Sequence, residues 1–114
     1  MFIVGSNILC IIIHMPIVEL SKALANETRM DIMRWLREPE KHFRSHKDGK
    51  DFSDGVCAQL IQEKTGMSQS TVSHYLSVLL RANLVIATRI GKWTYYQRND
   101  ETIREYLSQL QKDL

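Results

Sequence analysis

The chain of 114 residues sets 15 Lys and Arg against 13 Asp and Glu, with 44% hydrophobic residues, 25% charged residues and two cysteines. That balance excludes disordered, fibrous and collagen-like classes and leaves one small globular domain with a modest core. A formal charge of +2 permits a polyanionic partner without demanding one, so the placement of charge must decide. Cys10 and Cys57, without a secretory framework, point to a reduced, cytoplasmic protein.

The first fourteen residues, MFIVGSNILCIIIH, are apolar and β-branched and lack Lys and Arg. A signal peptide needs a basic start and a small-residue cleavage site, and a bilayer span needs about 20 apolar residues, so neither reading fits. Met15 then opens MPIVELSKALANETR, with Pro16 at a first-turn position, and reads as the start of the domain, 15–114. Two readings of 1–14 stay open: sequence upstream of initiation at Met15, or an extension whose Ile8 to Ile13 adds to a dimer face. A membrane partner is not expected.

Ile17 to Ala25 reads as a short helix. Asn26 can cap a second, Glu27 to Arg37, with Met30, Ile32, Met33 and Leu36 apolar and a stop at Pro39. Residues 38–55 form a polar interval with Pro39, Gly49 and Gly55 and almost no apolar groups, which reads as an inserted loop, solvated or functional. Asp54 is placed to cap a third helix, Val56 to Thr65, that buries Val56, Leu60 and Ile61.

Gly66 and Met67 make a tight turn, and Ser68 is the next N-cap. The helix it opens, 68–82, carries an apolar stripe of Val72, Leu76, Leu79 and Leu80. Its other face is Gln69, Ser70, Ser73, His74 and Ser77: short side chains, uncharged or weakly basic, that donate and accept hydrogen bonds and permit close approach of a second polar surface. Helix, Gly-containing turn and helix together make a helix-turn-helix, in which the second helix reads base edges in the major groove. The plainer alternative is that Ser68 only caps and the serines are only surface.

After Asn83, the runs Leu84 to Ile90 and Trp93 to Arg98 read as two strands about a Gly91-Lys92 turn, a wing at 85–98. Arg89, Lys92 and Arg98 place positive charge on and beside it, in reach of phosphates or a minor groove. Trp93 and Tyr95 fall on one face, Thr94 and Tyr96 on the other, with at least one pair in the core. Asp100 is placed to cap a last helix, Glu101 to Leu110, with Ile103, Tyr106, Leu107 and Leu110 on one side. A domain this small cannot bury that stripe and also free the reading helix, so a second copy is its natural cover.

The runs SKALANETRMDIMRWL, SQSTVSHYLSVLLRANLV and RIGKWTYYQ resemble the ArsR/SmtB-type winged-helix bacterial repressors, over nearly all of Ile17 to Leu110. The resemblance implies a mainly α fold with a small β-hairpin wing, an α+β winged helix-turn-helix dimerising through its first and last helices. Leu20 and Leu24 then join Ile103, Tyr106, Leu107 and Leu110 at the interface. It also implies repression relieved by an inducer, which it does not name.

Many members of that family sense metals through a Cys-x-Cys pair before the reading helix or a His/Asp cluster on the last helix. Here the third helix holds Cys57 alone, and the last helix has no histidine. One thiol is not a metal site, since such sites assemble three or four ligands, and Cys57 reads as a small core residue. A metal ion enters only if His42 and His46, spaced i, i+4, share a helical face, with Asp48, Asp51 or Cys57 as further ligands. The plainer reading is two solvated histidines and no cofactor.

The sequence-adjacent Ser73 and His74 point in different directions on a helix, so no catalytic constellation is visible. The reading is a homodimeric DNA-binding transcriptional repressor acting on an operator. Gln69, Ser70, Ser73 and His74 meet base edges, Ser68 and Thr71 meet phosphates, and Arg89 and Lys92 act from the wing. The alternative is a winged helix that binds protein and not DNA.

Overall fold

The computed structural model describes residues 16–46 and 49–114. The readings of 1–14 and of Asp48 lie outside these residues. The elements run α1 (Ile17–Leu24), α2 (Glu27–Arg37), α3 (Pro39–His42), β1 (Val56–Cys57), α4 (Ala58–Thr65), α5 (Gln69–Arg81), β2 (Val85–Ile90), β3 (Trp93–Arg98) and α6 (Asp100–Asp113). The result is mainly helical, with a three-stranded sheet in the order β1-β3-β2.

Local chemistry explains most boundaries. Asn26, in extended backbone, caps α2 by accepting from the Arg29 amide at 2.9 Å. Gly66 closes α4 at φ +71°, and Asn83 closes α5 at φ +63°. There the Leu84 amide donates back to the Leu79 carbonyl at 3.0 Å, a left-handed cap that satisfies an otherwise orphaned acceptor. Gly91, at φ +61°, opens the two-residue turn between β2 and β3, with Ile90 opposite Trp93.

Two caps differ from the sequence reading. Val56 does not open a helix: Val56 and Cys57 pair with Tyr96 and Tyr95 of β3, and α4 starts at Ala58. Asp54 caps nothing there; its carboxylate meets Lys50 Nζ at 3.1 Å. The cause is tertiary, because one edge of β3 needs backbone partners and a β-branched Val56 suits a strand. Gly55 lets the chain in, at φ +106° with its Cα so close that an added Cβ would lie 2.5 Å from the Tyr96 carbonyl oxygen. At the last helix Asn99, not Asp100, is the cap; it accepts from the Thr102 amide at 3.3 Å, and α6 runs on to Asp113.

One core joins the helices and the sheet. Leu20, Ile32, Val56, Ile61, Leu79, Leu84 and Val85 are its largest fully buried side chains, each contributing about 1.5–3 kcal/mol of apolar burial. Among the described residues no helix is long and apolar enough to cross a membrane.

The interval 38–55 is more than a solvated loop. It holds α3, and its described part docks through an aromatic chain: Trp35 to Phe43 at 6.2 Å, Phe43 to Phe52 at 6.3 Å, Phe52 to His46 at 4.8 Å and His46 to Tyr95 at 5.5 Å between ring centroids. Two phenylalanines in a polar stretch show no periodicity, so only the folded surface reveals what they pack on.

Candidate nucleic-acid interface

The start of α5 is polar and exposed. Ser68 Oγ accepts from the Thr71 amide at 3.2 Å and donates to Thr71 Oγ1 at 2.9 Å, while Ser70 Oγ lies 3.3 Å away. Val72, Leu76 and Leu79 are buried, leaving Gln69, Ser70, Ser73 and His74 exposed and Thr71 half-buried. The first amides of a helix lack internal partners and carry partial positive charge, so this turn favours an anion. Leu80, placed on the apolar stripe by spacing, is exposed.

Beside this face lies a cleft of about 490 Å³ between α4, α5 and the hairpin, lined by Gln59, Gln62, Gln69, Ser73, Lys92 and Thr94 among others. The structure thus brings Gln69 and Ser73 together with Lys92 of the wing. Gln59, Gln62 and Thr94 were missed in the sequence; the i, i+3 spacing of the two glutamines on a polar helix face was the available signal. Tyr96 also lines the cleft, and burial pushes its phenol above the ordinary value of 10.0.

The wing cations divide. Lys92 is exposed, with Nζ 5.8 Å from the Trp93 ring centroid. Arg89 is exposed too, but its Nε–H donates to the Gly91 carbonyl at 3.0 Å and braces the turn. Arg98 does not join them: its Nε lies 3.2 Å from Asp100 Oδ1, out of line for a hydrogen bond, and its side chain lines grooves against α2 and α6. Of the aromatic pairs, Tyr95 is buried and Trp93 is 44% exposed, because β1 and the insertion cover only part of that face.

The metal candidates do not form the expected set. Helix α3 ends at His42, so His42 and His46 share no helical face. His46 is 7% exposed, not solvated. Its Nε2 accepts from the Cys57 amide at 3.1 Å, which makes Nδ1 the protonated nitrogen, and Nδ1 donates to the Lys50 carbonyl at 2.9 Å. His46 and Cys57 therefore meet through the backbone of Cys57. Asp51 turns to Ser53, whose hydroxyl and amide hold its carboxyl below the usual range. Among the described residues no group of three or more His, Cys, Asp or Glu could hold a metal ion. Cys57 is a buried free thiol.

The bacterial regulatory protein family named for arsR matches residues 57–87, which span α4, the turn, α5 and the start of the wing. The uncharacterized HTH-type transcriptional regulator YbzH of Bacillus subtilis (strain 168) is 52% identical over 87 residues, 75% of this chain and 86% of that protein. The arsenical resistance operon repressor of the same organism is 33% identical over 88 residues, covering 77% of this chain and 70% of that one. The chain belongs to the ArsR family. The fold of this ArsR-family regulator matches the homodimeric winged helix-turn-helix DNA-binding domain solved from Mycobacterium bovis, with TM-score 0.58, 25% identity, and 96% of this chain and 86% of that one covered. It is a DNA-binding transcriptional regulator.

The faces assigned to dimerisation are unequal in this ArsR-family chain. Leu20 and Tyr106 are buried within the chain itself, and Tyr106 Oη is 2.7 Å from Ser21 Oγ. Leu24, Ile103 and Leu110 are only partly buried, and Leu107 is 57% exposed. The last helix thus buries more of its stripe internally than its sequence suggested, because Tyr106 reaches between α1 and the core.

Proposed function

We propose that this regulator represses transcription as a homodimer that sets α5 of each copy into adjacent major grooves of an operator, about 34 Å apart. The observation that carries the reading is the exposed hydrogen-bonding face of α5 beside the Lys92 turn, on one continuous cleft. Gln69, Ser70, Ser73 and His74 meet base edges, and Gln69 has the two-ended amide that reads adenine. Ser68 and Thr71 hold phosphates, and Arg89 and Lys92 act from the wing.

The dimer joins through the first and last helices, using Leu24, Ile103, Leu107 and Leu110, with Leu20 and Tyr106 supporting that surface from beneath. The description of the M. bovis domain as homodimeric supports this, and the operon-repressor name of the B. subtilis relative supports repression. The functional unit is residues 15–114, with 38–55 inserted between α2 and β1, and it works in the cytoplasm where its operator lies.

The test is a titration of the purified chain on its own upstream promoter fragment at several salt concentrations. With about seven phosphates neutralised per dimer, affinity drops by several thousandfold, roughly 10³–10⁴, between 50 and 200 mM salt. A flat salt response overturns the reading in favour of a protein-binding winged helix, and equal affinity for unrelated DNA overturns the operator-specific repressor in favour of non-specific DNA binding.

A further inference from the structure

A second cavity, of about 350 Å³, lies on the other side of α4, where the insertion meets the wing. We propose that it is a binding site for an uncharged, planar aromatic molecule of one or two rings. Its walls are the rings of His46, Tyr95 and Trp93, and Leu60 and Cys57 complete the apolar lining. That volume is in the range of small-molecule sites, which are mostly apolar with a few placed polar groups.

The walls are fixed before any ligand arrives. Both His46 nitrogens are engaged, one with the Cys57 amide and one with the Lys50 carbonyl, so the ring offers the cavity carbon edges and no free lone pair. Its ring also packs at 88° to Tyr95 and 63° to Phe52. A wall held from so many sides loses little freedom on binding. Trp93, by contrast, leaves 44% of its surface uncovered over a largely apolar space. An aromatic guest stacked there completes its burial.

The polar groups select against charge. Glu63 lines the cavity, but its Oε1 accepts from Arg44 Nη2 at 2.8 Å. Lys50 Nζ, 4.3 Å from the Tyr95 ring centroid, pairs with Asp54 at 3.1 Å. Glu63, the charged residue of the lining, thus has its opposite beside it, as does Lys50 behind the Tyr95 ring, so neither is a free counter-charge for an ionic guest. The carboxamide of Gln59 is exposed at the cavity and has no hydrogen-bond partner among the described residues. It is the group that would read one polar substituent on the ring, such as a hydroxyl.

Cys57, Gln59 and Trp93 line this cavity and also the cleft that holds Gln69 and Lys92. A guest stacked on Trp93 therefore acts next to Lys92 in sequence and on the helix that supports α5. This coupling to DNA, which rests on the function proposed above, is reciprocal: a guest that weakens operator binding is itself held less tightly by the DNA complex.

The experiment titrates 2-naphthol into the full chain and follows the two indole N–H resonances by ¹⁵N–¹H NMR. The expected result is a saturable shift of Trp93 at one equivalent per chain, with Trp35 still. Trp93→Leu stays apolar but removes the stacking ring and weakens binding about tenfold. With its indole reporter gone, that titration is followed at the backbone amides of Cys57 and Leu60, which line the cavity. Gln59→Trp fills the space and abolishes binding. Both positions are exposed, and the dispersion of the remaining amide signals verifies that each variant folds. No saturable shift, a shift confined to Trp35, or unchanged binding in both variants overturns the site. Operator affinity is measured with and without saturating 2-naphthol: a reduction supports the coupling, and an unchanged affinity overturns it. Failure of the free protein to bind DNA overturns the proposed function, while the naphthol titration still decides the cavity by itself.

Discussion

His46 Nε2 accepts a hydrogen bond from the Cys57 backbone amide at 3.1 Å, tying the insertion to the strand that leads into α4. The same ring reaches the Lys50 carbonyl through Nδ1. His46→Phe keeps the ring but strands a buried amide and frees the Lys50 end, so unfolding in urea should show a loss of about 1–3 kcal/mol. A change within about 0.5 kcal/mol of zero would mean that the bond adds nothing net.

Gly55 makes the next contact along the chain. An added Cβ meets the Tyr96 carbonyl carbon at 2.7 Å as well as its oxygen, and the residue sits at positive φ. Gly55→Ala should therefore open the β1–β3 pairing and cost on the order of 2–4 kcal/mol, more than the usual Gly-to-Ala effect. Thermal unfolding measures the loss, and faster exchange of the amide of Val56, the residue paired with Tyr96, locates it. Full retention of Tm would contradict the close approach.

On DNA, Gln69→Ala and Lys92→Ala should fail in different ways. Loss of the amide that reads a base edge costs about 1–3 kcal/mol at one position and relaxes preference there. Loss of Lys92 weakens every sequence alike and flattens the salt slope by about one ion per chain. Binding to a set of single-base operator variants separates the two, and a change of base preference in Lys92→Ala would refute the wing assignment.

Among the four apolar residues proposed for the dimer interface, Leu24, Ile103, Leu107 and Leu110, Leu107 is the most exposed. Leu107→Glu places charge on that face without touching the core, so sedimentation should show monomers, with the helical circular dichroism signal kept. Operator affinity should fall with the dimer. A Leu107→Glu chain that still sediments as a dimer would move the interface elsewhere.

Tyr96 sets an alkaline limit. Its burial raises the phenol above the ordinary 10.0, so the folded chain holds this proton where the unfolded chain releases it. The contribution is intact below pH 10.0 and is lost as pH rises from there through the folded-state value. Urea midpoints taken along that rise should fall less steeply in Tyr96→Phe than in the parent chain.

The helix-turn-helix was legible because its signals are local. Asn26, Gly66, Ser68 and Asn83 act on amides and carbonyls within a few residues of themselves, and Val72, Leu76 and Leu79 repeat at helical spacing. Cap chemistry and periodicity travel with the chain whatever surrounds it. The exposed face of Gln69, Ser70, Ser73 and His74 followed from the same stripe.

Everything that depends on residues distant in sequence had to wait for the folded chain. Val56 is a strand residue because β3 needs a neighbour, His46 is buried because Phe43, Phe52 and Tyr95 gather around it, and Arg98 turns from the wing toward Asp100. Sequence alone determined helix α5, its caps and the hairpin turn, since these arise from backbone geometry over a few residues. Tertiary structure decided where the insertion docks and which cations face the cleft, because those outcomes are set by burial and by partners that become neighbours only on folding.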